Sequence, residues 1–318
     1  MLPYIFLIIG FVFLAKGADI FIDGASKIAR YFNVSSLFIG LTLAAFGTSA
    51  PEMAVSLKAT IVEVNGVALG NVIGSNIANI ALAIGIASLI KPLHVEDSTI
   101  KKEIPLMLVS TILLVIFCID FSNITQGTST LQRWEGIVFL VLMVGFIIYL
   151  WQMAKSDRKN PLNINESSDI SLFKNIILIL VGGGAIALGS HLAVENAEKI
   201  AKMWNVSNKV IGISVVALGT SVPEIVTSIA AVMKDEISIA VGNIVGSNIF
   251  NILLVLGVAS TVKPITLPAE VNIDALICLA VAIVFLLISR YSKKIYRKSG
   301  IILILFYVLY IVVLFLRK

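Results

Sequence analysis

The chain has 318 residues, of which 58% are hydrophobic and only 14% charged, with a net charge of +5. A soluble domain averages about 25% charged residues, so a mean hydropathy of +1.01 excludes a water-soluble globule and predicts an integral membrane protein. The surplus of Lys and Arg lies in short loops between apolar runs, where membrane topology accounts for it, and no nucleic-acid partner is expected.

A helical span needs roughly 20 apolar residues. Ten stretches qualify: 2–22, 36–60, 66–90, 104–121, 135–153, 173–193, 208–233, 237–261, 269–289 and 299–316. No basic segment precedes the first run, so no cleavable signal peptide is expected. Between the fifth and sixth lies AKSDRKNPLNINESSDISL at 154–172, polar, too short for a domain and read as a linker. It separates residues 1–153 from 173–318, with five predicted spans each. Cys118 and Cys278 sit singly in apolar runs and read as small buried hydrophobes.

The second half repeats the first. GLTLAAFGTSAPE at 40–52 matches GISVVALGTSVPE at 212–224, and GNVIGSNIAN at 70–79 matches GNIVGSNIFN at 242–251. The paired motif regions are therefore 40–79 and 212–251. Asn33-Val34-Ser35 and Lys91-Pro92 recur as Asn205-Val206-Ser207 and Lys263-Pro264, all at one offset of 172 residues. Five spans is an odd number, so the second copy enters the membrane from the opposite side, the inverted repeat of many secondary transporters. The expected fold is an all-α integral membrane protein of ten transmembrane helices in two inverted five-helix repeats. Loops on the linker side carry fifteen Lys and Arg against eight on the other. That bias places the linker in the cytoplasm and both termini outside. Lys199 and Lys202 repeat Lys27 and Arg30 on the opposite face and dilute it.

Each motif sets a glutamate into apolar surroundings, at a cost of ~2.5–3.5 kcal/mol near the centre of a span. Pro51 removes a backbone donor and clashes with the carbonyl four residues back, so a kink is expected near Gly47. The carbonyls of Ala45 and Ala217 are the natural ones to be freed, which is tolerated at membrane depth only beside protein or a polar cavity. Thr48, Ser49 and Glu52 share one helical face, as do Ser75 and Asn79. The second copy supplies Thr220, Ser221, Glu224, Ser247 and Asn251. Pooled, these ligands are all oxygen. Hard cations such as Ca²⁺ take six to eight oxygens, whereas zinc or copper favours nitrogen or sulfur. Two glutamates match the charge of one divalent ion, and Na⁺ can use the same oxygens in smaller groups.

Blander roles compete for several of these positions. A lone Ser or Thr often bonds back to its own helix, and Asn76 and Asn248 fit packing glue as well as a site role. Gly70-xxx-Gly74 and Gly242-xxx-Gly246 match a close-packing pattern. Lys16, Asp19, Asp23, His191 and Glu195, toward the ends of the first and sixth spans, read as interfacial anchors, and Lys58 as a snorkelling side chain. Two other classes weigh less. A cation channel would show downhill flux without a counter-ion. A serine hydrolase at Ser49 or Ser221 lacks a base, since neither motif holds Lys or His and the only histidines are His94 and His191.

GTSAPE with GNVIGSNIAN, and GTSVPE with GNIVGSNIFN, resemble the two alpha-repeats of the sodium/calcium exchanger family, and the resemblance spans nearly the whole chain. It implies a Na⁺/Ca²⁺ antiporter, not an enzyme, that works by alternating access without a cofactor; the short linker fits a plasma membrane. No protein partner is expected. It also implies that Glu52 and Glu224 are the central Ca²⁺ ligands. The Ala45 and Ala217 carbonyls, Thr48, Ser49, Ser75, Thr220, Ser221 and Ser247 complete the Ca²⁺ and Na⁺ sites, and Asn79 and Asn251 line the centre. Potassium-dependent relatives carry aspartate where Asn251 stands, which argues against K⁺ co-transport. The linker has no room for the regulatory region of animal exchangers. The cation/proton branch tends to have an acid within its GN motif; none is present here, which favours Na⁺ over H⁺. Ca²⁺/H⁺ exchange is the alternative.

Overall fold

A helix stands at the place of each predicted stretch in the computed structural model, which describes residues 1–63, 66–118, 128–159, 171–204, 217–268 and 270–316. Among these residues seven helices are long and apolar enough to cross a membrane, or eight if one bent pair counts as a single span. Of the predicted linker 154–172, residues 154–159 continue a helix and 160–170 lie outside the described residues, as do the repeat of Asn33-Val34-Ser35 and the start of the second motif at 212–216.

The first half begins with α1 (Leu2–Phe32). Asn33 closes it in the left-handed conformation, φ 50°, and the Ser35 hydroxyl then accepts the Phe38 N–H at 3.2 Å to start α2 (Ser36–Ile39). A π-turn over Gly40–Ala44 leads into α3 (Ala45–Thr48), and α4 (Ala50–Ile61) follows at a bend of 44°. The break falls at Ser49 rather than Gly47. Pro51 lies in the first turn of α4, where its missing N–H costs nothing, so it begins a new helix instead of kinking an old one. Next come α5 (Val67–Ile77), a π-turn over Ala78–Ala83, α6 (Ile84–Ile90), strand β1 (Leu93–His94), α7 (Asp97–Lys101) and α8 (Glu103–Cys118). Strand β2 (Thr128–Leu131) and α9 (Arg133–Lys159) complete the half.

The second half runs through α10 (Leu172–Met203), α11 (Ala217–Met233), α12 (Ile237–Phe250), a π-turn over Asn251–Leu256 and α13 (Gly257–Val262). It ends with β3 (Ile265–Pro268), α14 (Glu270–Ser292), β4 (Lys294–Ile295) and α15 (Arg297–Leu316). Pro223 sits inside α11, which continues past it.

Two pairings join the halves. β1 lies antiparallel to β4, with Leu93 opposite Ile295, and β2 antiparallel to β3, with Leu131 opposite Ile265. These strands, two to four residues long, are the exception to the all-α expectation and cap the ends of the bundle. Beside them run two ion pairs, Lys91 with Asp235 and Lys263 with Glu63. Both the lysines and the acids stand 172 residues apart, and both acids are left-handed, at φ 60° and 64°. The chain therefore keeps its duplicated geometry at the rim.

The spans Val67–Ile90 and Ile237–Val262 are the most deeply enclosed. Gly242 and Gly246 let α12 lie against the second span. A Cβ on Gly242 would meet the Leu37 carbonyl at 2.8 Å, and one on Gly246 the Ala45 side chain at 2.7 Å. The matching Gly70 and Gly74 meet nothing within 4 Å among the described residues. Residues 209 and 213, the repeats of Leu37 and Leu41, lie outside them. A different contact joins α1 to α10. Gly10 faces Gly189, Gly17 faces Gly182 and Gly24 faces Asn175, and a Cβ on Gly182 would sit 2.6 Å from the Phe21 backbone nitrogen. Cys118 and Cys278 are both buried, as their apolar surroundings suggested.

Candidate cation site

The two motifs meet where α4, α5, α11 and α12 cross. Glu52 lies in the first turn of α4, where the helix N-terminus favours a negative charge, and Glu224 lies one residue past Pro223 in α11. Both are completely enclosed. Ser49, one turn before Glu52, donates its hydroxyl to Glu224 Oε1 at 3.4 Å. Ser75 donates to Glu52 Oε1 at 3.4 Å and lies 3.4 Å from the Thr220 hydroxyl. The carboxylates of the two halves are thus bridged through one turn of helix and a pair of hydroxyls.

The second oxygen of each carboxylate has no hydrogen-bond partner among the described residues. Nor have Ser221 Oγ, both polar atoms of Asn79, or Asn251 Oδ1. Buried polar atoms are nearly always paired. With Asn248 Oδ1, six oxygens from six motif residues are left over, two of them on carboxylates. Such a set suits a ligand that supplies no lone pairs, which is what a hard cation is. The π-turns put Asn79 and Asn251 there. Each turn begins within a residue of its asparagine and re-aims the side chains that follow.

The remaining candidates are reached as well, with one difference. Ser247 Oγ donates to the Ala45 carbonyl at 3.4 Å. That carbonyl is not freed, because the Ser49 N–H reaches it across the bend at 3.0 Å. The carbonyl deprived of a donor by Pro51 is that of Gly47. Thr48 bonds back to the Ala44 carbonyl at 3.0 Å and also approaches Asn243 Oδ1 at 3.2 Å, so its single proton is shared between them. Ala217 begins α11 at the edge of the described residues. Asn76 acts as glue. Its Oδ1 accepts from Asn251 Nδ2 at 3.0 Å and its Nδ2 donates to the Asn248 carbonyl at 3.3 Å. The amide of Asn248 has no partner among the described residues. The anchoring role of Asp23 takes a specific form, a 2.6 Å bond to Lys234 at the end of α11.

Sequence reasoning passed over Asn71 and Asn243. Asn71 Nδ2 donates to the Glu52 carbonyl at 3.3 Å and to Ser56 Oγ at 3.0 Å, while its Oδ1 accepts from Thr220 at 3.1 Å. Asn243 does the same in the other half, to the Glu224 carbonyl at 3.4 Å and Ser228 Oγ at 3.0 Å, and accepts from Thr48. A carbonyl cannot donate, so each amide has only one workable orientation. The available signal was their place in the repeated Gly-Asn pair.

The model of the family described as sodium/calcium exchanger protein matches residues 2–152 and 174–316. The chain is 38% identical over 319 residues to the putative antiporter CaxA of Alkalimonas amylolytica, covering 98% of each. It is 32% identical over 344 residues to the sodium/calcium exchanger MaX1 of Methanosarcina acetivorans, again covering 98% of each. A solved structure of the sodium-calcium exchanger NCX_Mj, soaked with Na⁺ and Ca²⁺, superposes with a TM-score of 0.84 at 34% identity, over 100% of this chain and 99% of that one. By sequence along its whole length and by fold, the chain belongs to the sodium/calcium exchanger protein family.

Proposed function

We propose that the chain is a secondary active antiporter that moves Ca²⁺ out of the cytoplasm as Na⁺ enters, through one site shared by two inverted five-helix halves, 1–153 and 173–318. In this reading the shorter helices α8 and α11 also cross, giving ten spans in a plasma membrane, with 154–172 in the cytoplasm and both termini outside. The observation that carries the proposal is the group of enclosed oxygens without partners on Glu52, Glu224, Ser221, Asn79 and Asn251. Ala45, Thr48, Ser49, Ser75, Ala217, Thr220 and Ser247 complete the Ca²⁺ and Na⁺ positions. The named activity of MaX1 and the ions soaked into NCX_Mj support the same substrates.

Coupling follows from charge. Burying an uncompensated carboxylate costs several kcal/mol even after relaxation. One Ca²⁺, or several Na⁺ ions, neutralises the pair and lets the site pass between its two accessible states; an empty site carries both charges and is held back. The α1 and α10 pair, which meets through glycines, slides over the core of the second, third, seventh and eighth spans. Ca²⁺/H⁺ exchange is the second reading, since the free oxygens of Glu52 and Glu224 can also take protons. Calorimetric titration of the purified chain at fixed pH tests the assignment. Ca²⁺ binding is expected to be competed by Na⁺ and lost in Glu52→Gln and Glu224→Gln. Unchanged binding in both variants overturns the site, and binding indifferent to Na⁺ favours the proton reading.

A further inference from the structure

Away from the candidate cation site, a cavity of about 320 Å³ lies at the end of the bundle, between α7 and the end of α14. It is on the linker side. Its neighbours Lys102 and Glu103 both reach Tyr149, toward the linker end of α9, through a ring contact and a hydrogen bond. Lys101, Arg290, Lys293 and Asp97 line its polar end, and Ile100, Pro105 and Leu286 its apolar wall. Asp97 is already engaged, with Lys293 Nζ at 2.8 Å and 3.0 Å from its two oxygens. Lys293 is itself held by the backbone. Its N–H donates to the Ser289 carbonyl and its carbonyl accepts the Val95 N–H, each at 3.0 Å. One carboxylate among three cations leaves two positive charges uncompensated. Lys101 and Arg290 are exposed, and neither forms a hydrogen bond or ion pair among the described residues.

Basic pockets between spans at the cytoplasmic surface recognise anionic head groups. We infer that this cavity binds an anionic phospholipid, its phosphate between Lys101 and Arg290 and an acyl chain along Ile100, Pro105 and Leu286. The apolar wall distinguishes a lipid from free phosphate. It continues along α14 to Ile283 and Leu287, which are exposed where bilayer would surround them. The fixed ammonium of Lys293 adds long-range attraction without competing for Asp97, and a zwitterionic head group brings a cation of its own that this pocket repels.

The test uses the full purified chain in neutral detergent and reads the unfolding midpoint, which does not depend on transport. Titration with short-chain phosphatidylglycerol is expected to raise the midpoint saturably. Phosphatidylcholine and inorganic phosphate are expected to leave it unchanged. Lys101→Gln with Arg290→Gln is expected to weaken the apparent affinity for phosphatidylglycerol roughly 30-fold, the sum of two charges at a membrane surface. Lys155→Gln with Arg158→Gln removes as much charge elsewhere on that side and is expected to keep the response, as is the exchange Lys101→Arg with Arg290→Lys. Where the double variant fails to fold, Lys101→Gln and Arg290→Gln singly make the same comparison. An equal response to phosphatidylcholine, a full response to inorganic phosphate, or an undiminished response in the Gln variants overturns the inference.

Discussion

Asn71 and Asn243, 172 residues apart, do the same work in the two halves. Each ties the backbone of one motif glutamate to a serine one turn further on, and each accepts the hydroxyl of the threonine contributed by the other half. A change at either asparagine is therefore felt by a glutamate in its own half and a threonine in the other.

Asn71→Ala and Asn243→Ala are each expected to lower apparent Ca²⁺ affinity at least about fivefold, because buried partners left unpaired cost ~1–3 kcal/mol each. The expected signature is a raised half-saturating Ca²⁺ concentration with a smaller change in maximal flux, since the ligating atoms remain. Ser56→Ala, which removes one partner of three, is expected to have a milder effect. Titration of Ca²⁺-dependent flux checks this, and equal affinity in all three variants contradicts it.

The contact of α1 with α10 is too tight for side chains. Gly182→Ala places a methyl group 2.6 Å from the Phe21 nitrogen, so the helices must separate, at ~1–3 kcal/mol for overpacking. A lowered unfolding midpoint and slower exchange are expected, whereas Gly184→Ala, with nothing within 4 Å among the described residues, is expected to change neither. Equal behaviour of the two variants would count against a close-packed pair.

At the rim, Lys263 holds the Glu63 carboxyl below its ordinary value of 4.5 through a hydrogen bond and its charge. A depressed carboxylate stabilises the fold above its unfolded value, and that contribution is lost as the pH falls through the folded one. The pair is therefore intact at neutral pH and fades only below about pH 4.5. It is exposed, so salt screens it. Lys263→Met is expected to flatten the acid limb of stability against pH in low salt and to make no difference in high salt. Unfolding curves between pH 3 and 7 check the sign, and a loss confined to alkaline pH contradicts it.

Lys234 ties α11 to α1 through Asp23, while the first half has Val62 at the equivalent position. Among the described residues, this ion pair fastens one end of α1, the helix proposed to slide. Lys234→Met is expected to raise the labelling rate of a Ser26→Cys reporter from the linker side by up to about fivefold, the worth of a partly exposed pair. Cys118 and Cys278 are buried and give little background. An unchanged rate shows that the pair does not bias the opening.

Much of the site was legible in the sequence because its residues stand out chemically. Glu52 and Glu224 are carboxylates in apolar runs, and the constant offset shows which residues pair. Asn71 and Asn243 were hidden because a lone Asn beside Gly reads as helix packing, and their partners come from three different helices. The rim pairs were hidden for another reason. The repeat keeps an acid at 63 and 235 but changes Glu to Asp, so literal matching misses it. Strands of two to four residues carry no periodicity. The bend moved from Gly47 to Ser49 because a proline can start a helix as readily as break one, and local sequence does not say which.

Uptake of radioactive Ca²⁺ into proteoliposomes loaded with Na⁺ and diluted into Na⁺-free medium, with pH matched across the membrane, bears most directly on Na⁺-coupled exchange. Uptake that requires internal Na⁺ and collapses with a sodium ionophore is the expected result. Uptake indifferent to Na⁺ but driven by an imposed pH step would contradict it and make protons the coupling ion.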